Sequence, residues 1–229
     1  MVKELKSYFL TPIAHVISAF FLFFMALIFT LLIFNEKTAD MRGVVTTAVV
    51  TILLIAPVIT MRLFAEENKT GTIELLLTSP VSDWEVVFGK YLAIMTFFLS
   101  LVVLTFQFPL ILLYYSSPDV SLIMSSYLGL ILVGGAFIAV GTLTSSFSKN
   151  QIISAISSFS ILLILWFIDE TAQILPPSYS AISEYISIYS HFDNFIIGKI
   201  DTSDIIFFFS FIFFVLFLTT RIVESRKWR

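Results

Sequence analysis

Long uncharged runs alternate with short polar breaks along this chain. Stretches free of Asp, Glu, Lys and Arg extend from Ser7 to Asn35, Gly43 to Met61, Tyr91 to Pro118, Val120 to Ser148, Asn150 to Ile168 and Ile205 to Thr220. About 20 residues of helix cross the roughly 30 Å of a bilayer's hydrocarbon core, so most of these runs suffice as they stand. The last is short, but Arg221 can snorkel, and Ile222 and Val223 extend its apolar surface. Backbone groups in lipid must be satisfied internally, which leaves helices or a closed barrel. Runs such as Phe207 to Phe217 lack the alternation of a barrel strand. The pattern therefore predicts an all-α polytopic membrane protein with six transmembrane helices, near 16–34, 44–61, 91–115, 120–147, 151–168 and 205–222, in a single domain covering 1–229. The first run is much longer than the 7–15 apolar residues of a signal peptide and is expected to be retained.

The charges give these spans a direction. With the N-terminus in the cytoplasm, the inner segments hold ten basic residues, Lys3, Lys6, Arg62, Lys69, Lys90, Lys149, Arg221, Arg226, Lys227 and Arg229. The outer segments hold three, Lys37, Arg42 and Lys199. The positive-inside rule then places both termini in the cytoplasm.

Between spans two and three, the cytoplasmic segment 62–90 is too polar for lipid. Gly71 to Thr78 reads as a short helix, with Gly71 as its cap, Glu74 near its N-terminal dipole, and Ile73, Leu76 and Leu77 on one face. Ser79-Pro80 stops it. Ser82-Asp-Trp-Glu85 is a capping box that starts a second helix at about Asp83, continuing through Lys90 into span three. Apolar residues beside Glu66, Glu67 and Glu74 suit docking into a groove on a soluble partner. An ordinary loop lying on the membrane surface is the plainer reading, although such loops favour lysine and this one carries five acids to three bases.

Two further segments stand outside the spans. At the N-terminus, Val2, Leu5, Phe9 and Ile13 at helical spacing oppose Lys3, Glu4 and Lys6, the pattern of an amphipathic interfacial helix. In the outer loop 169–204, Pro176-Pro177 begins a helix with Ile182, Ile186 and Tyr189 on one side, followed by Phe192, Phe195 and Ile196; it is expected to dip back toward the membrane as a re-entrant-like loop.

Composition narrows the chemistry. Of the 229 residues, 58% are hydrophobic and 13% charged, none is cysteine, and the histidines are His15 and His191. Thiolate sites and disulfides are excluded. No phosphate-binding G-x-x-x-x-G-K-[ST] occurs, and Gly89-Lys90 and Gly198-Lys199 lack its other residues, so the chain itself is not expected to hydrolyse ATP. No G-x-S-x-G or H-E-x-x-H occurs, and no metal site is expected. The acidic residues lie at or beyond the span ends. Gln107, two residues before Pro109, is the strongest candidate for a polar group in a transport path; an interhelical hydrogen bond beside a kink is its structural alternative. Pro57 suggests a bend in span two, and Gly134, Gly135, Ala139, Gly141 and Ser145 make span four a close-packing helix.

The run Met61-Arg-Leu-Phe-Ala-Glu-Glu-Asn-Lys-Thr-Gly-Thr-Ile-Glu-Leu-Leu-Leu-Thr-Ser-Pro-Val-Ser-Asp-Trp-Glu-Val-Val-Phe-Gly-Lys90 closely resembles the signature of ABC-2-type permeases, nearest to the gliding-motility-associated ones, and Lys3 to Ala14 resembles that family's N-terminus. The family often has tyrosine where His15 stands. The resemblance implies the membrane-spanning subunit of an ABC transporter in the cytoplasmic (inner) membrane of a prokaryote, exporting an unidentified substrate. It further implies a coupling helix with Glu66, Glu67, Gly71, Thr72, Ile73, Glu74, Leu75, Leu76, Leu77, Ser79 and Pro80 as ATPase-coupling residues, and a secondary cytoplasmic contact at Lys149 and Asn150. The implied partners are a cytoplasmic ABC ATPase holding ATP and Mg, a second permease copy or paralogue, and the bilayer, with no nucleic acid; two copies would flank a path lined partly by spans two and five. A stand-alone carrier or channel, or a membrane scaffold for an ATPase, fits the same six spans.

Overall fold

The computed structural model describes residues 11–36, 40–72, 82–172 and 185–225. Among them the chain is helical without strands: α1 (Pro12–Glu36), α2 (Arg42–Thr60), α3 (Ala65–Thr70), α4 (Asp83–Thr105), α5 (Gln107–Tyr115), α6 (Val120–Phe147), α7 (Gln151–Ala172), α8 (Ile188–Ile196) and α9 (Thr202–Ser225). Six segments are long and apolar enough to cross a bilayer, and they correspond to the six runs read from the sequence. The N-terminal amphipathic segment before Thr11 and the outer-loop stretch 173–184 lie outside the described residues.

Helix α6 is the axis of the bundle. It packs against α2, α4, α7, α8, α9 and the short α3. Its apolar middle is 83% buried, against 17% for the first span, and its exposed apolar residues Val120, Met124 and Phe147 lie toward the ends. A helix surrounded on every side needs small residues wherever a neighbour crosses closely. Gly134 lies against the Phe98 ring, Gly141 against the Thr60 side chain, and Gly129 against Phe195, so the glycines of span four are packing positions. The exposed apolar faces belong to peripheral helices, including Phe20, Phe23 and Phe34 on α1 and Phe209, Phe213 and Phe214 on α9. Outward phenylalanines beside an inward polar seam are what hydrocarbon as solvent favours.

Span three breaks at Phe106, between α4 and α5. Pro109 has no backbone N–H, so the Thr105 carbonyl four residues earlier loses its helical partner. The buried hydroxyl of Tyr127 on α6 donates to that carbonyl at 3.0 Å, and the Phe106 and Tyr127 rings lie 4.5 Å apart. Gln107 is exposed rather than turned toward a neighbouring helix. The interhelical bond expected beside the kink is therefore made by Tyr127. In span two, α2 runs on through Pro57.

At the end of the bundle opposite α3, helix α8 buries Ile188, Phe192, Phe195 and Ile196 against α6 and α7. The helix expected to begin at Pro176-Pro177 lies, at its start, outside the described residues. Ser187 accepts a hydrogen bond from the Ser190 amide and caps the helix at Ile188; Ile186 is exposed, and half-buried Tyr189 packs its ring 5.1 Å from that of Trp166. Ser125 donates to the Phe195 carbonyl at 2.9 Å and ties α8 to α6. A polar clasp joins α8 to α9. Buried Asp204 sits 2.6 Å from Nδ1 of His191 and accepts from Asn194 at 2.9 Å, while the His191 ring stacks on Phe207. Just before α9, the Ser203 backbone amide and hydroxyl hold the Asp201 carboxyl below the usual carboxylate range.

Candidate functional site at the junction of spans two, three and four

The chain leaves α2 at Thr60, makes a turn through 61–64 and re-enters a helix at Ala65. Leu63, Phe64 and Ala65 are buried, so the polar backbone of this turn needs internal partners. Three side chains supply them. Ser145 of α6 donates to the Met61 carbonyl at 3.1 Å and accepts from the amides of Phe64 and Ala65 at 3.0 and 3.2 Å. Asn68 of α3 donates to the carbonyls of Ser146 and Ser148 at 3.1 and 2.9 Å, serving acceptors left over at the C-terminus of α6. Lys90 of α4 donates to the Leu63 carbonyl at 2.9 Å and to Oε1 of Glu67 at 2.7 Å, with its ammonium 5.1 Å from the centre of the Phe64 ring.

The two acids predicted to lie side by side on a docking surface are thus separated by the fold. Glu66 is exposed. Glu67 turns inward to Lys90, whose side chain is only 4% exposed. Lys90, read from the sequence as an ordinary inner-surface charge, belongs to the core of the joint.

Gly71 ends α3 after Thr70, with φ +74° in the left-handed conformation, while the helix to Thr78 that it was expected to cap lies past Thr72, outside the described residues. Space around its α-carbon is open, so the reason for glycine is backbone conformation and not packing. Glu66, Lys69, Thr70, Gly71 and Thr72 form the exposed side of this element. The predicted coupling positions Ile73, Glu74, Leu75, Leu76, Leu77, Ser79 and Pro80 lie outside the described residues.

Description resumes at Ser82, and there the predicted capping box is formed. The Ser82 hydroxyl accepts from the Glu85 amide, and the Glu85 carboxylate accepts from the Ser82 amide at 2.9 Å. Trp84, one residue into α4, packs its ring 6.0 Å from those of Phe213 and Phe217 on α9.

The turn between α6 and α7 carries the other predicted contact. Asn150 Oδ1 accepts from the Ile152 amide at 2.9 Å and caps α7. Lys149, Asn150, Gln151 and Ile152 line, together with Lys69 of α3, a shallow cleft of about 270 Å³. The fold therefore brings the exposed side of α3 and the Lys149–Asn150 turn to one surface, although they are about 80 residues apart in sequence. Gln107 lies on span three, beyond the two turns of α4 that carry Lys90, and is not part of this surface.

Sequence reasoning missed Asn68, Lys90 and the bonding role of Ser145. A signal was present for one of them: Ser145 stood in the small-residue series of span four, where a hydroxyl allows both close approach and a hydrogen bond. Asn68 and Lys90 gave none, because their partners are distant in the chain. The arrangement has no nucleophile with a base, and no group of three or more His, Cys, Asp or Glu side chains suited to a metal occurs among the described residues. Its chemistry is mechanical: an exposed element fixed by polar bonds to the ends of three spans.

A family model described as ABC-2 family transporter protein matches residues 32–218. That range takes in every residue of the junction and all of spans two to five. Comparison with curated proteins gave no match.

Proposed function

From the premise that the chain belongs to the ABC-2 family of transporter proteins, we propose that it is the membrane-spanning permease subunit of an ABC transporter, driven by an ATPase on a separate polypeptide. The whole chain acts as one transmembrane domain with both termini in the cytoplasm, in the inner membrane of a prokaryote. ATP and Mg are held by the partner, and a second copy or paralogue completes the path. Export of its substrate and a relation to gliding-motility permeases are the finer parts of this reading.

The observation that carries the proposal is the junction. If α3 faces the cytoplasm, as the ten-to-three distribution of basic residues supports, the segment beyond Gly71 is presented to the partner on an element bonded to α4 and α6. A displacement applied there is delivered to the best-buried helix of the bundle. Glu66, Gly71 and Thr72 on α3, the stretch from Ile73 to Pro80, and Lys149 with Asn150 are the contact residues in this reading, whereas Glu67 serves the joint from inside.

Two exposed positions test the contact without disturbing the joint. Gly71→Val forces a branched residue into the left-handed region at a cost of about 1–2 kcal/mol and redirects the chain beyond it. Glu66→Lys reverses an exposed charge. The double variant is expected to lower ATPase association, or ATPase stimulation in a reconstituted pair, by about tenfold, the equivalent of about 1.4 kcal/mol. Association and stimulation equal to the unaltered chain would remove this surface from the account.

A further inference from the structure

We propose that Lys90 is a positioning residue for energy coupling, and that its ion pair with Glu67 is the strut through which movement of α3 reaches span three. The inference rests on the permease reading and adds to it the residue that transmits the stroke.

A lysine buried to 4% exposure is costly unless paired and hydrogen-bonded. Three of the groups around Lys90 come from one stretch of chain: the Leu63 carbonyl, the Glu67 carboxylate and the Phe64 ring all lie within the turn and first turn of α3. Lys90 stands two turns into α4, a helix that continues to Thr105 and, across the break at Phe106, into α5. Stability gives no reason for charges here, since well-packed apolar residues of similar volume commonly hold a buried site as well or better. What the ion pair adds is direction. An ammonium held by a carbonyl and a carboxylate on the same short element fixes the height of α4 against α3, which apolar contact alone leaves free to slide.

The second oxygen of Glu67, Oε2, is buried without a hydrogen-bond partner among the described residues. A rotation of the carboxylate can offer Oε2 to the ammonium in place of Oε1 without changing the height of α4, so the pair can hold through a stroke. The bonds from Ser145 and Asn68 fix the same element to α6. Spans three and four are then moved together by one lever.

The test uses the full chain in lipid nanodiscs, alone and with its ATPase. The chain has no cysteine, so spin labels at Arg62→Cys and Tyr114→Cys, both exposed, report the distance from the junction to the far end of α5 without background. Lys90→Met leaves the half-buried Glu67 without the ammonium; Glu67→Met/Lys90→Met replaces the pair by apolar volume; Lys90→Arg keeps the charge. In the chain alone, amide exchange over 63–68 is expected to rise at least about tenfold in Lys90→Met and to return near the original level in the double variant. With the ATPase bound, ATP and vanadate should change the label distance in the unaltered chain and in Lys90→Arg. The double variant should bind the ATPase normally and lose that change.

A double variant that transmits the full distance change overturns the strut, because packing alone would then suffice. If no ATPase associates with the unaltered chain, the permease reading fails by itself. The exchange arm still decides the joint: protection over 63–68 unchanged in Lys90→Met overturns it, and the tenfold rise sustains it.

Discussion

Gly141→Val is expected to prevent native assembly of the bundle. A β-carbon at position 141 would meet the Thr60 side chain from Cβ to its terminal methyl, with Cβ at 2.7 Å and Cγ2 at 2.9 Å. Thr60 cannot swing aside cheaply. It is fully buried, its branched side chain is stiff about χ1, and its hydroxyl already donates to the Ala56 carbonyl at 2.7 Å. Helices α2 and α6 would have to separate along their longest shared contact, one turn before the junction. Overpacking of a core commonly costs about 1–3 kcal/mol, and a branched residue against two rigid helices should reach the top of that range. Size-exclusion chromatography and thermal unfolding in detergent should show loss of the monodisperse species, with partial recovery in Gly141→Val/Thr60→Gly. Unaltered behaviour of Gly141→Val would mean that α2 and α6 do not cross as described.

Ser145→Ala should have the second largest effect, for a different reason. One hydroxyl satisfies three backbone groups, the buried amides of Phe64 and Ala65 and the part-buried carbonyl of Met61. Its removal leaves two donors and an acceptor in a site that admits little water. Each unsatisfied buried group costs about 1–3 kcal/mol, and relaxation of the turn recovers part of the sum. The spans themselves are untouched, so the variant should insert and fold while the turn 61–65 loosens. Amide exchange at Phe64 and Ala65 should rise at least about tenfold. In the reconstituted pair, the ATPase should bind and hydrolyse ATP with its dependence on the permease lost. Unchanged exchange at these two amides would show that the hydroxyl is not their acceptor.

Much of the fold was legible because the bilayer simplifies the reading. Uncharged runs of sufficient length have one stable outcome in lipid, and the six spans followed from that alone. Local signals also survived: Ser82 and Glu85 lie three residues apart and need no tertiary context to cap α4, and the small residues of span four announced its close packing. The junction was illegible where its meaning depends on distant partners. Glu66 and Glu67 are neighbours of identical type, and only the approach of Lys90, 23 residues on, turns one inward and leaves the other exposed. That Gly71 ends a helix depends on Ala65 to Thr70 being helical, a segment too short and polar to be recognised by periodicity. Asn68 finds its acceptors at the end of α6 only after spans two and four have packed. The clasp of His191, Asn194 and Asp204 was hidden for the same reason.

The central claim is that this chain is the permease half of an ATP-driven machine. It is tested most directly by purifying the tagged chain from its native membrane in mild detergent, identifying what accompanies it and assaying the eluate for ATP hydrolysis. A stoichiometric ATPase with a phosphate-binding loop, lost when the segment from Glu66 to Ser82 is altered, is the predicted result. A homogeneous, ATPase-free preparation that moves solutes across liposomes without nucleotide would contradict it.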